Sequence, residues 1–167
     1  MSSGNISIIG KPNVGKSTLF NLLIKKHLAG ETSKPQTTRH KIDAVLQEGD
    51  VEFLFVDTPG LNFDIKKDFN KILNKNALSA IYEADVILHL IDYRKIDKND
   101  IKVVENIKNI ESPKILVLNK IDLDSKKKNL PKILSGIPDE IIRVYDEIIP
   151  ISSKKSDNIL KLKKIIK

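Results

Sequence analysis

The chain has 167 residues, enough for one domain at roughly 100–200 residues each. It contains no cysteine, which excludes disulfides, thiolate-held zinc, iron–sulfur clusters and thiol nucleophiles. Three widely spaced histidines argue against a histidine metal site, and 29 Lys+Arg against 22 Asp+Glu give a net charge of +7. That balance suits a polyanion partner, but only Arg39, Arg94 and Arg143 are arginines, so solvated lysine faces account for it better.

No apolar run approaches the ~18 residues of a membrane span. The opening MSSGNISIIG has no charged n-region and no cleavage site, so a soluble cytoplasmic protein is expected. In chain order, Asn5–Gly10 reads as a buried strand running into a glycine turn, and Lys16–Leu28 as a helix with Leu19, Phe20, Leu23 and Ile24 on one face. Gly30–His40 is a polar loop. Lys41–Glu48 and Val51–Val56 form an antiparallel pair around the Gly49-Asp50 turn, and Asp57-Thr58-Pro59-Gly60 breaks the second strand.

Lys66–Tyr82 has helical spacing, and Val86–Asp92 is apolar enough for a strand covered on both faces. Asn99–Ile110 is an amphipathic helix, Lys114–Asn119 another buried strand, and Asp124–Leu134 charged and partly helical. Glu147–Ile151 is a last short strand, and Ser156–Ile166 a closing helix. The alternation predicts an α/β fold, a six-stranded, mostly parallel sheet with one antiparallel edge strand and helices on both faces, the small-GTPase-like arrangement of P-loop NTPases. Residues 1–167 form one domain with no repeat or linker. His40 and His89 read as structural, and Phe53 and Phe55 as core.

Gly10-Lys11-Pro12-Asn13-Val14-Gly15-Lys16-Ser17 fits G-x-x-x-x-G-K-[ST], with a strand before it and a helix after. Such a turn converges backbone N–H groups on a β-phosphate, and the helix N-terminus adds positive dipole. Gly10 and Gly15 permit the backbone angles, Lys16 bridges β- and γ-phosphate oxygens, and the Ser17 hydroxyl can sit on Mg²⁺. Asp57 ends an apolar strand, where it can hold a Mg²⁺-bound water, and Gly60 can offer its N–H to the γ-phosphate. D-x-P-G is also ordinary turn chemistry.

Asn119-Lys120-Ile121-Asp122 ends another buried strand. The Asp122 carboxylate can accept from both guanine N1 and N2, a pair that adenine lacks, which would select GTP over ATP. The Lys120 stem can cover the base face. Ile151-Ser152-Ser153-Lys154 can present backbone N–H to the guanine O6. In Pro35-Gln36-Thr37-Thr38-Arg39 a threonine can complete the Mg²⁺ shell, although the stretch also reads as a plain polar loop.

GKPNVGKSTLFN, PQTTRHKI, VDTPGL and NKID, in this order, resemble the Era family of bacterial GTPases from Ile6 to about Ile166. The QTTRH loop separates it from the sister Der and MnmE families. The resemblance implies a GTP-hydrolysing switch in small-subunit (30S) ribosome assembly and 16S rRNA maturation, with GTP or GDP, Mg²⁺ and K⁺ as cofactors, and peripheral association with the inner membrane. It implies nucleotide contacts from Gly10, Lys11, Pro12, Asn13, Val14, Gly15, Lys16, Ser17 and Thr18, and from Gln36, Thr37 and Thr38. Asp57, Thr58, Pro59, Gly60 and Leu61 would sense the γ-phosphate. Asn119, Lys120 and Asp122, with Ile151, Ser152 and Ser153, would hold the base.

Ser17 and Thr38 would ligate Mg²⁺, with Asp57 acting through water, and Lys16, Thr38, Gly60 and Asn13 would serve catalysis. Asn13 resembles the asparagine that ligates K⁺ in potassium-activated relatives. Two departures stand out: Leu61 replaces a water-orienting glutamine, and Ser152-Ser153-Lys154 stands where the family has Ser-Ala. Era proteins also read rRNA through a KH domain with a G-x-x-G loop, and no G-x-x-G occurs here, so the expectation is a G domain alone. A Der-like half, a ferrous-iron-transporter G domain, and a nucleotide-gated binding module with negligible turnover are the alternatives.

Overall fold

The computed structural model describes residues 2–25, 42–48, 51–57, 81–124 and 129–167. Among the described residues six strands form one sheet, in the order β2-β3-β1-β4-β5-β6. They are β1 (Ser2–Ile9), β2 (Ile42–Glu48), β3 (Val51–Asp57), β4 (Val86–Asp92), β5 (Lys114–Asn119) and β6 (Glu147–Pro150). β1 pairs in parallel with β3 and β4, β4 with β5, and β5 with β6. Only β2 is antiparallel, against β3, with a register shift between Ile42 and Ala44. The sheet is therefore the expected one, with its antiparallel strand at an edge.

β4 and β5 are apolar at most positions because both faces of the sheet are covered there. Alternation then sorts the strand side chains. Ile6, Ile8, Leu88, Leu90, Ile115 and Val117 point into one core, with Leu19 and Leu23 of α1 (Lys16–Lys25) and Ile159, Leu162 and Ile166 of α5 (Ile159–Ile166). Ile9, Ile87, Ile91, Leu116 and Leu118 point into the other, with Val103, Val104 and Ile107 of α2 (Lys98–Ile107). Phe53 and Phe55 are buried in the first core, as expected. Each such Ile, Leu or Phe contributes about 1.5–3 kcal/mol of burial.

Element ends differ from the sequence expectation for local reasons. β1 begins at Ser2 rather than Asn5, because Ser2, Ser3 and Gly4 pair with Val51, Glu52 and Phe53 through the backbone, which needs no apolar side chain. β3 runs on to Asp57, opposite Ile8. β6 stops at Pro150. α2 begins at Lys98 because Asp97 caps it, and its last turn ends at Ile107 rather than Ile110.

The closing helix starts at Ile159, not Ser156, since Ser156 and Asn158 take left-handed φ of 62° and 59°. The stretch after β5 holds a 3₁₀ turn (Ile121–Leu123), then α3 (Leu130–Ser135) and a four-residue α4 (Asp139–Ile142) that was not expected. The far end of the first helix, the Gly30–His40 loop, the Gly49-Asp50 turn and most of Lys66–Tyr82 lie outside the described residues. Glu48 pairs with Val51, the register of a tight hairpin.

Candidate functional site

The parallel strands share one carboxyl end, where ligands bind in open α/β sheets. β1 delivers Gly10 there, β3 Asp57, β4 Asp92 and β5 Asn119. The loop from Gly10 to Ser17 leaves β1 and enters α1 directly. Gly10 has φ 142° and Gly15 φ 103°, values that side chains rarely adopt. A Cβ on Gly10 would strike the Leu90 carbonyl, and one on Gly15 the Asn119 amide. Both glycines are thus demanded by close packing as well as by backbone angle.

Asn13 also sits at positive φ, 64°, at the exposed tip. Val14 is buried, while Ser17 and Thr18 lie exposed in the first turn of α1, which carries no acidic residue. Lys16 Nζ donates to the carbonyls of Gly10 at 2.9 Å and Lys11 at 2.7 Å, so its ammonium arches back over the loop.

Asn119 ties two loops together. Its Nδ2 donates to the Val14 carbonyl at 2.8 Å. Its Oδ1 accepts from both the amide and the hydroxyl of Ser153, each at 3.0 Å. The hydroxyl bond is made by the Ser153 side chain and adds to the backbone contact that any residue there could make. Lys120, held left-handed at φ 72°, donates to the Asn13 carbonyl at 2.6 Å and pairs with Asp92 at 3.1 Å.

Asp122 Oδ1 accepts from the Ser152 hydroxyl at 2.6 Å, and that hydroxyl oxygen accepts from the Lys155 amide at 2.9 Å. The Ser152 amide donates to the Asp157 carbonyl, and Ile121 N–H to the Ile151 carbonyl. Three segments far apart in sequence, 10–17, 119–122 and 151–153, therefore meet as one hydrogen-bonded unit. Sequence reading placed Asn119 at the base; the structure shows its amide knitting the phosphate loop to the Ser152-Ser153 turn.

Asp92, Arg94, Asp97, Asp100 and Tyr145 carried no expected role. Asp92 is held by Arg94 through Nε at 3.0 Å and Nη2 at 2.9 Å, and also by Lys120. The Arg94 hydrogen bond, then Lys120, keeps its carboxyl far below the usual carboxylate range against the effect of burial. The legible signal was an acid closing the apolar run VILHLID. Asp97 and Asp100 form a capping box at the start of α2, and Lys11 lies 2.8 Å from the first and 2.7 Å from the second.

Burial opposes the charge on Lys11, but its hydrogen bonds to Asp100 and Asp97 prevail and raise its pKa. Burial pushes Asp100 upward, whereas the bond to Lys11 lowers Asp97. Beneath them His89 is fully buried, with Nδ1 against the Tyr145 hydroxyl at 2.5 Å. His89, Asp100 and Tyr145 line a cavity of about 10 Å³. Burial, then the charges of Lys11 and Lys16, lower the His89 pKa to about 3, so it is a neutral core residue, as expected.

Asp57 reaches the site as the last residue of β3, beside β1. Gln36, Thr37, Thr38 and His40, with Thr58, Pro59, Gly60 and Leu61, lie outside the described residues. Among the described residues no group of His, Asp and Glu is arranged to hold a metal ion by itself, and no helix is long and apolar enough to cross a membrane.

Comparisons with known proteins match this geometry. The chain is 38% identical over 163 residues to GTPase Era of Pseudomonas fluorescens, covering 98% of this chain and 54% of that protein. Among solved structures it resembles Era in complex with MgGDPNP and nucleotides 1506–1542 of 16S ribosomal RNA, at TM-score 0.83 and 35% identity, over 99% of this chain and 56% of that one. A variant of Aquifex aeolicus Era bound to GDP and AlF₄⁻ matches at TM-score 0.82 and 35% identity, with the same coverage. The chain spans about half the length of these relatives. The glycine loop, its asparagine-held neighbours and the Asn119–Asp122 tetrapeptide all fall within residues 5–120 or pack onto them, and that segment matches the profile of the 50S ribosome-binding GTPases, the family to which this chain belongs.

Proposed function

We propose that the protein is an Era-type guanine-nucleotide switch that binds GTP and GDP with Mg²⁺ and hydrolyses GTP slowly. The observation that carries this is the convergence of Lys16, Asn119, Lys120 and Asp122 on one loop cluster at the sheet's carboxyl end. The glycine turn and the acid-free first turn of α1 suit a polyphosphate. Asp122, oriented by Ser152, suits the paired donors of guanine, and Lys120 lies along the loop where its stem can cover the base.

The donor set fits Mg²⁺: a hydroxyl exposed at the start of α1 and an aspartate ending the strand beside β1, both oxygen donors of the kind that hard cation takes. Ser17, Thr38 and Asp57 would hold it, Asp57 through water, and the ion would neutralise charge on the phosphates. Lys16 and the loop amides orient the nucleotide, and Gly60 and Leu61 lie in the segment that would face the γ-phosphate. Asn13 is placed at the exposed loop tip, where it is available to a K⁺ beside the phosphates.

The solved complex of Era with 16S ribosomal RNA supports an rRNA and 30S partner here. The place of action in this reading is the cytoplasm, with peripheral association at the inner membrane. The test is displacement of a fluorescent GDP. GTP and GDP compete and ATP does not, and single-turnover phosphate release follows when GTP is added with Mg²⁺. Equal competition by ATP overturns the guanine assignment, and binding without phosphate release leaves a nucleotide-gated binding module.

A further inference from the structure

Lys11, the first variable position of the phosphate loop, points at a helix. Its ammonium bridges Asp97 and Asp100 at 2.8 and 2.7 Å, and these are the N-cap and third residue of α2. Both carboxylates are already fixed by the backbone: Asp97 accepts from the Asn99 amide, and Asp100 from the Asp97 amide, each at 2.9 Å. The lysine therefore docks onto a pre-oriented pair. Asp100 is 2% exposed, so its charge has little solvent to fall back on.

Two of the three donors of Lys11 go to these acids, which leaves it poorly suited to bind a phosphate itself. Its carbonyl, however, receives Lys16 Nζ at 2.7 Å. One residue thus faces both ways, with its side chain on α2 and its carbonyl under the phosphate lysine.

We propose that Lys11, clamped by Asp97 and Asp100, is a positioning residue that sets the phosphate loop and makes nucleotide retention depend on the start of α2. The inference rests on the nucleotide-binding reading above and adds a role for two acids whose carboxylates are turned to Lys11 and the start of α2. Neutralising the clamp from either side frees the Lys11 carbonyl to shift and with it the Lys16 ammonium. Removing Lys11 alone also leaves the buried Asp100 without a counter-charge.

The test is the dissociation rate of fluorescent GDP, measured with the melting temperature, for Lys11→Met, Lys11→Arg, Asp100→Asn and the double variant Lys11→Met/Asp100→Asn. Lys11→Met and Asp100→Asn should each speed release about tenfold, Lys11→Arg should return it to within about twofold, and the double should be no worse than the worse single, because they break one interaction. Asp97→Ser retains a capping oxygen and is the milder variant should Lys11→Met fail to fold; it should speed release about threefold. If Asp100→Asn and Asp97→Ser leave release unchanged while Lys11→Met speeds it, Lys11 contacts phosphate directly and the proposal is wrong. If melting temperatures fall but release rates hold, the cluster only stabilises the fold, and the proposal is equally wrong. Failure of the unaltered protein to bind GDP would overturn the nucleotide reading itself and the clamp with it.

Discussion

The side-chain amide of Asn119 donates to the carbonyl of Val14 across 105 positions of sequence. The same side chain accepts twice from Ser153. With 1% exposure, Asn119 has no water to replace either partner. Asn119→Ala strands a buried carbonyl and two donors, and at about 1–3 kcal/mol per orphaned group it should lower stability by about 3 kcal/mol or more. Urea unfolding with and without GDP checks this. Asn119→Asp, which keeps the acceptor and loses the donor, should recover the Ser153 side only.

Asp122→Asn should move base preference from guanine toward xanthine, because an amide can donate to the oxygen xanthine carries where guanine has its amino group. Ser152 still orients position 122 in this variant, since its hydroxyl can bond an amide oxygen as readily as a carboxylate. Competition of XDP and GDP for a fluorescent nucleotide reads the switch; unchanged guanine preference would take Asp122 out of base recognition.

Gly15→Ala combines φ of 103° with a collision against the Asn119 amide. Strained backbone of this kind costs about 1–3 kcal/mol before the lost Asn119 contacts are added. GDP affinity should fall at least about tenfold, since 1.4 kcal/mol is one decade. Fluorescence titration and a thermal melt measure the two effects separately.

His89 makes stability fall with acid. Its folded pKa of about 3 lies below the ordinary histidine value of 6.5, so between those values the unfolded chain binds the extra proton and stability rises with pH. Going from pH 7 to pH 5 should therefore remove about 2 kcal/mol through this group. The neighbours that face it are Tyr145, Asp100 and the charges of Lys11 and Lys16. His89→Gln should flatten the pH 5–7 dependence of the melting temperature relative to the parent, a difference in which the other titrating groups cancel.

Turnover of GTP in equimolar KCl and NaCl tests the cation role assigned to Asn13. Faster turnover in K⁺, lost in Asn13→Ala, is expected. Lys120 still anchors the loop in that variant, because it bonds the Asn13 carbonyl and not its side chain.

The alternation of strands and amphipathic helices made the sheet legible because β4 and β5 are almost continuously apolar and only two residues separate β2 from its antiparallel partner β3. The phosphate loop was legible for a similar reason: Gly10, Gly15, Lys16 and Ser17 are close in sequence and each is required by backbone or charge. What stayed hidden depends on distance. Nothing local marks Asn119 as the partner of Val14 and Ser153, or Lys11 as the partner of Asp97 and Asp100. The polar start of β1 was missed because pairing through Ser2, Ser3 and Gly4 uses only main-chain groups. α4 was missed because four residues after Pro138 carry no readable period.

β6 closes one side of the sheet with four residues, an exposed Glu147 at its start and Pro150 at its end. Proline offers no N–H, and a charged side chain resists an incoming strand. A second chain trying to extend the sheet on this side would find too few main-chain groups to gain a foothold. The border beside the Ile151–Ser153 turn thereby resists strand addition, and crowding at high protein concentration meets a surface poorly suited to fibre-like stacking.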